Sequence, residues 1–107
     1  MTKMDLVLVI GQTLTQLDGA LADPALIADR SDWQQLYAMR KHLDDQQRLL
    51  VAATIQADDE GFQVLARSID GSAAQLAQSI KDISRVNATL GMVARIAADL
   101  DQVLKLV

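Results

Sequence analysis

The sequence predicts an all-α protein: an antiparallel bundle of three main helices, the last long and heptad-patterned, completed by self-association. Three observations carry this. Sixteen Ala and sixteen Leu stand beside one Pro, five Gly and three aromatics (Trp33, Tyr37, Phe62), a composition that favours helices over sheets. Apolar residues recur at spacings of three and four along most of the chain. From Phe62 to Val107 that spacing becomes an unbroken seven-residue register. At 107 residues the chain makes one domain, residues 1–107.

The first helix is expected over residues 3–22. Val7, Ile10, Leu14, Leu17 and Leu21 line one face, and Asp23-Pro24 marks its stop. Asp23 is a cap-type residue before a Pro favoured at the first helical position, so a short second piece follows, Pro24 to Asp29. Leu26 and Ile27 should tuck against the bundle end. Ser31 and Gln34 have the spacing of a capping box, which starts the next main helix, residues 32–57. Its inner positions are Leu36, Met39, Leu43, Leu50 and Ala53, with Gln46 as a polar member of the same row. Asp58, Asp59 and Glu60 suit the amino terminus of the third helix.

That third helix is expected over 60–107. Phe62, Ile69, Leu76, Ile83, Leu90, Ala97 and Leu104 fall seven apart, as do Leu65, Ser72, Ser79, Val86, Val93, Leu100 and Val107. A period held this long is the mark of coiled-coil-like packing. Asp70, Gly71 and Ser72 interrupt the helix formers, and Ser72 with Gln75 repeats the capping-box spacing. Gly91 is a second soft point. The register crosses both glycines, which argues for a bend at 70–72 and not a turn. One continuous helix would be roughly 70 Å long against roughly 30 and 39 Å for the others, so its apolar seam needs a partner.

Composition excludes much chemistry. Thirteen Asp stand against one Glu, Glu60, with one His and no Cys. Bundle-type di-metal centres need several Glu and Glu-x-x-His pairs, so no metal and no cofactor is expected. No nucleophile elbow, P-loop or dinucleotide motif is present, and no catalytic residue is assigned. His42, within Arg40-Lys41-His42-Leu43-Asp44-Asp45, reads as a solvated histidine on a polar face. Asp44 should pair with Arg48 one turn on, or Lys41 with Asp45.

Net charge is −4, and no basic patch exists to hold nucleic acid. Residues 1–23 and 24–59 are each −2, and 60–107 are neutral. No apolar run reaches the length of a membrane span, so no stable membrane insertion is expected. The apolar run Leu6 to Ile10 is too short for a signal peptide, which favours a cytoplasmic protein while leaving export by another route open.

The expected partner is another protein, a second copy, or both, as a homodimer or higher. The candidate seam for either is Phe62, Leu65, Ile69, Leu76, Ile83, Val86, Leu90, Val93, Leu100 and Leu104. Trp33 and Tyr37, one turn apart, form a candidate aromatic docking patch or else close the bundle end against Leu26 and Ile27. Ser72 and Ser79 make a thin section of the seam, and Asn87 lies beside it. Two functions follow. One is a non-enzymatic binding module: an adaptor, a secretion-chaperone-like protein or an immunity-type binder. The other is a self-assembling coiled-coil subunit, as of an exported filament.

Overall fold

A computed structural model describes residues 1–56 and 58–106, Ile83 by its backbone alone. Five α-helices pack together and no strand occurs among the described residues: α1 (Lys3–Leu21), α2 (Pro24–Ala28), α3 (Arg30–Ala52), α4 (Glu60–Ser79) and α5 (Val86–Leu104), with a 3-10 turn at Ile83–Arg85.

The 60–107 helix is corrected to two helices folded back on each other. The break lies at 80–85, not at 70–72, and Gly71 and Gly91 sit inside uninterrupted helix. Asp82 makes the turn: its carboxylate accepts hydrogen bonds from the Ser84 amide at 3.0 Å and the Ser84 hydroxyl at 2.6 Å. A heptad row states which face of a helix is apolar, not that successive heptads share one helix. Across the turn the buried row shifts: Phe62, Ile69 and Leu76 are fully buried on α4, whereas on α5 the fully buried positions are Val93, Ile96, Leu100 and Val103, with Ala97 and Leu104 only partly buried. Folding back also answers the length problem, because α5 covers the face of α4 that a single long helix would leave bare.

The helix starts follow the acids. Thr2 and Asp5 form a reciprocal capping box on α1. Asp23 caps α2, with Pro24 behind it, and Asp59 caps α4 by accepting from the Phe62 amide. The Ser31–Gln34 box is replaced by Asp29, whose side chain accepts from the Asp32 amide, so α3 starts at Arg30. That earlier start carries the first helical bond, from the Trp33 amide to the Asp29 carbonyl at 2.9 Å. At the other end α3 stops at Ala52, short of the expected 57; Ala57 lies outside the described residues.

Cross-links between helices define the arrangement. Lys3 Nζ donates to the carbonyls of Val51 and Ala53, and Gln47 to that of Val7. At the opposite end Trp33 Nε1 donates to the Leu21 carbonyl, so α1 and α3 run in opposite directions. Ser68 pairs with Asp99 and Ser79 with Thr89, which sets α4 against α5 in the same way. Met1 exchanges two hydrogen bonds with Gln63, placing the starts of α1 and α4 side by side. Gln46 reaches the Ala97 carbonyl and Asp101 on α5. The helices thus stand at the corners of a square in the order α1, α3, α5, α4, so α3 and α4, consecutive in the chain, occupy opposite corners. The whole measures 45 × 21 × 17 Å.

The core is continuous from Leu6, Ile10 and Leu17 on α1 through Leu36, Leu43 and Leu50 on α3 to Phe62, Ile69 and Leu76 on α4 and Val93, Ile96 and Leu100 on α5. Gln46 is buried in the α3 row; its Nε2 makes both bonds to α5 and its Oε1 has no hydrogen-bond partner. Leu26 enters the core, whereas Ile27 does not tuck in and stands outward.

Candidate functional site

The seam and the aromatic pair meet different fates. Phe62, Ile69, Leu76, Leu90, Val93 and Leu100 are buried within the chain, and Leu65, Val86 and Leu104 pack partly buried against them. The Ile83 side chain lies outside the described residues. In this fold the seam is already covered, α4 by α5, so it is an internal contact and not a surface offered to a partner. The thin section has an intramolecular use: the buried hydroxyls of Ser79 and Thr89 lie 3.0 Å apart where the hairpin closes. Asn87 is exposed and fixes no register.

Trp33 and Tyr37 stand at the end where α1 stops and α3 begins. Their rings stack with centroids 5.2 Å apart and planes 10° from parallel. Helical spacing of four places the two rings over one another. The indole is anchored, because its Nε1 donates to the Leu21 carbonyl at 2.8 Å and satisfies one of the orphan acceptors at the end of α1. The phenol is not: Tyr37 is 50% exposed, stacked on a fixed ring.

Beside the indole a cavity of about 530 Å³ opens between α1, α2 and α3, lined by Leu21, Ile27, Ala28, Arg30, Trp33 and Gln34. The one-residue link at Asp29 creates it. With α2 and α3 joined so tightly, Ile27 is left 55% exposed on one wall, and Arg30 and Gln34, one turn apart, stand on the other. Asp29 and Asp32 lie just behind. Lost hydration and the Asp29 carboxylate raise the pKa of Asp32 above the ordinary carboxylate value.

Elsewhere the polar groups serve structure. Arg40 holds Asp18 across α1 and α3 at 2.9 Å, and Asp44 is shared by Arg40 and Arg48 within α3. His42 is exposed, on the rim of a smaller cavity of about 230 Å³ between α3 and α5. Among the described residues no group of three or more His, Cys, Asp or Glu could hold a metal ion. Among them also, no helix is long and apolar enough to cross a membrane.

Sequence reasoning named Trp33 and Tyr37 but missed Arg30, Gln34 and the outward turn of Ile27. Their convergence depends on the angle between α2 and α3, which no periodicity encodes. Set against protein-family models, curated proteins and solved structures, the chain matches none.

Proposed function

We propose that this chain is a small non-enzymatic protein-binding module that seats an apolar side chain of its partner in the Ile27–Trp33 cavity, with Tyr37 packing alongside. The observation that carries the reading is the cavity itself: an apolar wall at Leu21, Ile27 and Ala28 facing Arg30 and Gln34, with an anchored indole and a half-exposed phenol at one end of the bundle. Its volume falls in the range of ligand-sized sites, and Trp, Tyr and Arg are the residue types in which binding energy concentrates. Stacking on Trp33 restricts Tyr37 before a partner arrives, which lowers the entropy lost on binding. The adaptor, secretion-chaperone and immunity-type roles all fit this mode, since each covers apolar surface of another protein. A filament built on the 62–104 seam is disfavoured, because those side chains are spent inside the chain.

The test uses tagged full-length protein and a lysate of the organism that encodes it. Wild type should capture one stoichiometric partner, and Ile27→Asp and Tyr37→Ala should lose it with an unchanged thermal melt, both side chains being exposed. Capture that survives both substitutions, or recovery of nothing beyond the chain itself, would overturn the reading.

A further inference from the structure

The two hairpins are docked in a manner that their apolar rows alone do not require. Within each hairpin the helices are antiparallel, but across the junction between hairpins they are parallel. α1 and α4 start side by side at Met1 and Gln63. α3 and α5 run the same way, because Ala38, Met39 and His42 share a cavity with Val93 and Ala97, and Gln46, further along, meets Ala97 and Asp101. The bundle of opposite hand, in the order α1, α3, α4, α5, keeps both helix pairings and all four apolar rows, makes every neighbouring pair antiparallel and brings α4 to a corner next to α3. Parallel neighbours set like ends of two macrodipoles together, so the dipoles favour that other hand. A chain whose rows fit both hands needs a feature that tells them apart.

Gln46 can tell them apart. It sits in the α3 core row at 2% exposure. Its Nε2 donates to the Ala97 carbonyl at 2.9 Å and to Asp101 Oδ1 at 2.8 Å, both on α5, while Oε1 is buried without a partner. A buried orphan acceptor costs stability, and an apolar side chain of the same shape would carry no such cost. Stability is therefore a poor account of why an amide stands here. Position is a better one. In the other hand α5 lies diagonally across from α3, and the two acceptors, a backbone carbonyl and a carboxylate at fixed places on α5, are out of reach of Nε2.

A single polar residue in an apolar seam fixes register and partner choice in helical assemblies in this way, at a cost in stability. The Met1–Gln63 bonds also join the hairpins, but they lie at the end of the bundle, where water can replace them. Gln46 has no such substitute, because its amide is enclosed on every side. The cavity between Met39, His42, Val93 and Ala97 belongs to this hand alone, since the other hand parts α3 from α5.

We infer that Gln46 selects the hand of the bundle: it holds α3 against α5 by disfavouring the packing in which they part, and the chain is less stable for it. Spin labels on exposed positions read the hand directly by double electron–electron resonance, in a full-length chain with no cysteine of its own. Lys41→Cys/Arg95→Cys spans α3 to α5, and Lys41→Cys/Gln75→Cys spans α3 to α4. With Gln46 present each pair should give one distance, the α3–α5 distance the shorter. Gln46→Met, close in shape, should melt at least as high and should split both distributions, a longer α3–α5 and a shorter α3–α4 distance appearing together. Gln63→Met should keep the single packing. A Gln46→Met protein that melts lower or does not fold, Gln46→Met distances identical to those of wild type, or an equal split produced by Gln63→Met would each overturn the inference.

Discussion

Between α1 and α3 the contact is edged by polar clasps spaced along its length: Lys3 on the end of α3, Gln47 on the Val7 carbonyl, Arg40 on Asp18, and Trp33 on the Leu21 carbonyl. Between α4 and α5 the contact is a row of buried Phe62, Ala66, Ile69, Ser72 and Leu76 against Val93, Ile96, Leu100 and Val103, with short hydroxyl bridges at Ser68 and Ser79. The second hairpin is held through its interior, whereas the first adds these edge clasps to its own core row of Leu6, Ile10, Leu17, Leu36, Leu43 and Leu50. Stability should therefore rest on the buried apolar contacts of both hairpins, with the clasps contributing less.

Four substitutions probe that contrast. Phe62→Ala, at the fully buried start of α4, should cost about 3–5 kcal/mol in urea denaturation, whereas Arg40→Met, losing a partly exposed ion pair, should cost under about 1 kcal/mol. Equal losses would break the contrast. Ser79→Ala should cost about 1–3 kcal/mol because the Thr89 hydroxyl is left buried without its partner, and Ser79→Ala/Thr89→Val should recover most of it. A double variant no better than the single would show that the hydroxyl pair is not a unit.

The smallest effect concerns acid. The Ser84 hydroxyl and amide hold the Asp82 carboxyl below its usual pKa. Its contribution to stability is thus full above the unfolded value near 3.9 and is lost as pH falls through the lowered folded value. Asp32, raised in the fold, works oppositely: its contribution is present at low pH and lost as pH rises through the folded value. Asp82→Ala should flatten the acid limb of stability below about pH 4, measured by denaturant titration at a series of pH values. An unchanged limb would remove Asp82 from the account of the α4–α5 turn.

Local chemistry was legible where one residue type has one common use. Asp23-Pro24 ended α1, and the three-and-four spacing through Gln46 places an amide in the α3 core row. Elsewhere two signals competed and the weaker-looking one prevailed. Asp29 took the α3 cap from Ser31 because the earlier start reaches the Trp33 amide. Asp82 turned the chain where Asp70-Gly71 did not, since a helix tolerates an exposed glycine at about 1 kcal/mol, while an acid accepting from its own downstream amide offers the backbone another conformation. The cavity beside Trp33 was illegible for a different reason: it is a property of the angle between two helices and not of either.

The diagonal step from α3 to α4 has a consequence for how the chain can be divided. On one side of it lies the whole α1–α3 hairpin, on the other the whole α4–α5 hairpin. Its ends are pinned independently, by Lys3 on the Ala53 carbonyl and by the Asp59 cap. Loop-closure cost rises by only about 0.6 kcal/mol for each doubling of length, so lengthening this link costs little. The domain is in this respect two complementary pieces on one thread, tacked to the core by the half-buried Ile55, and the exposed positions Thr54 and Gln56 on either side of it are where the thread can be lengthened at least cost.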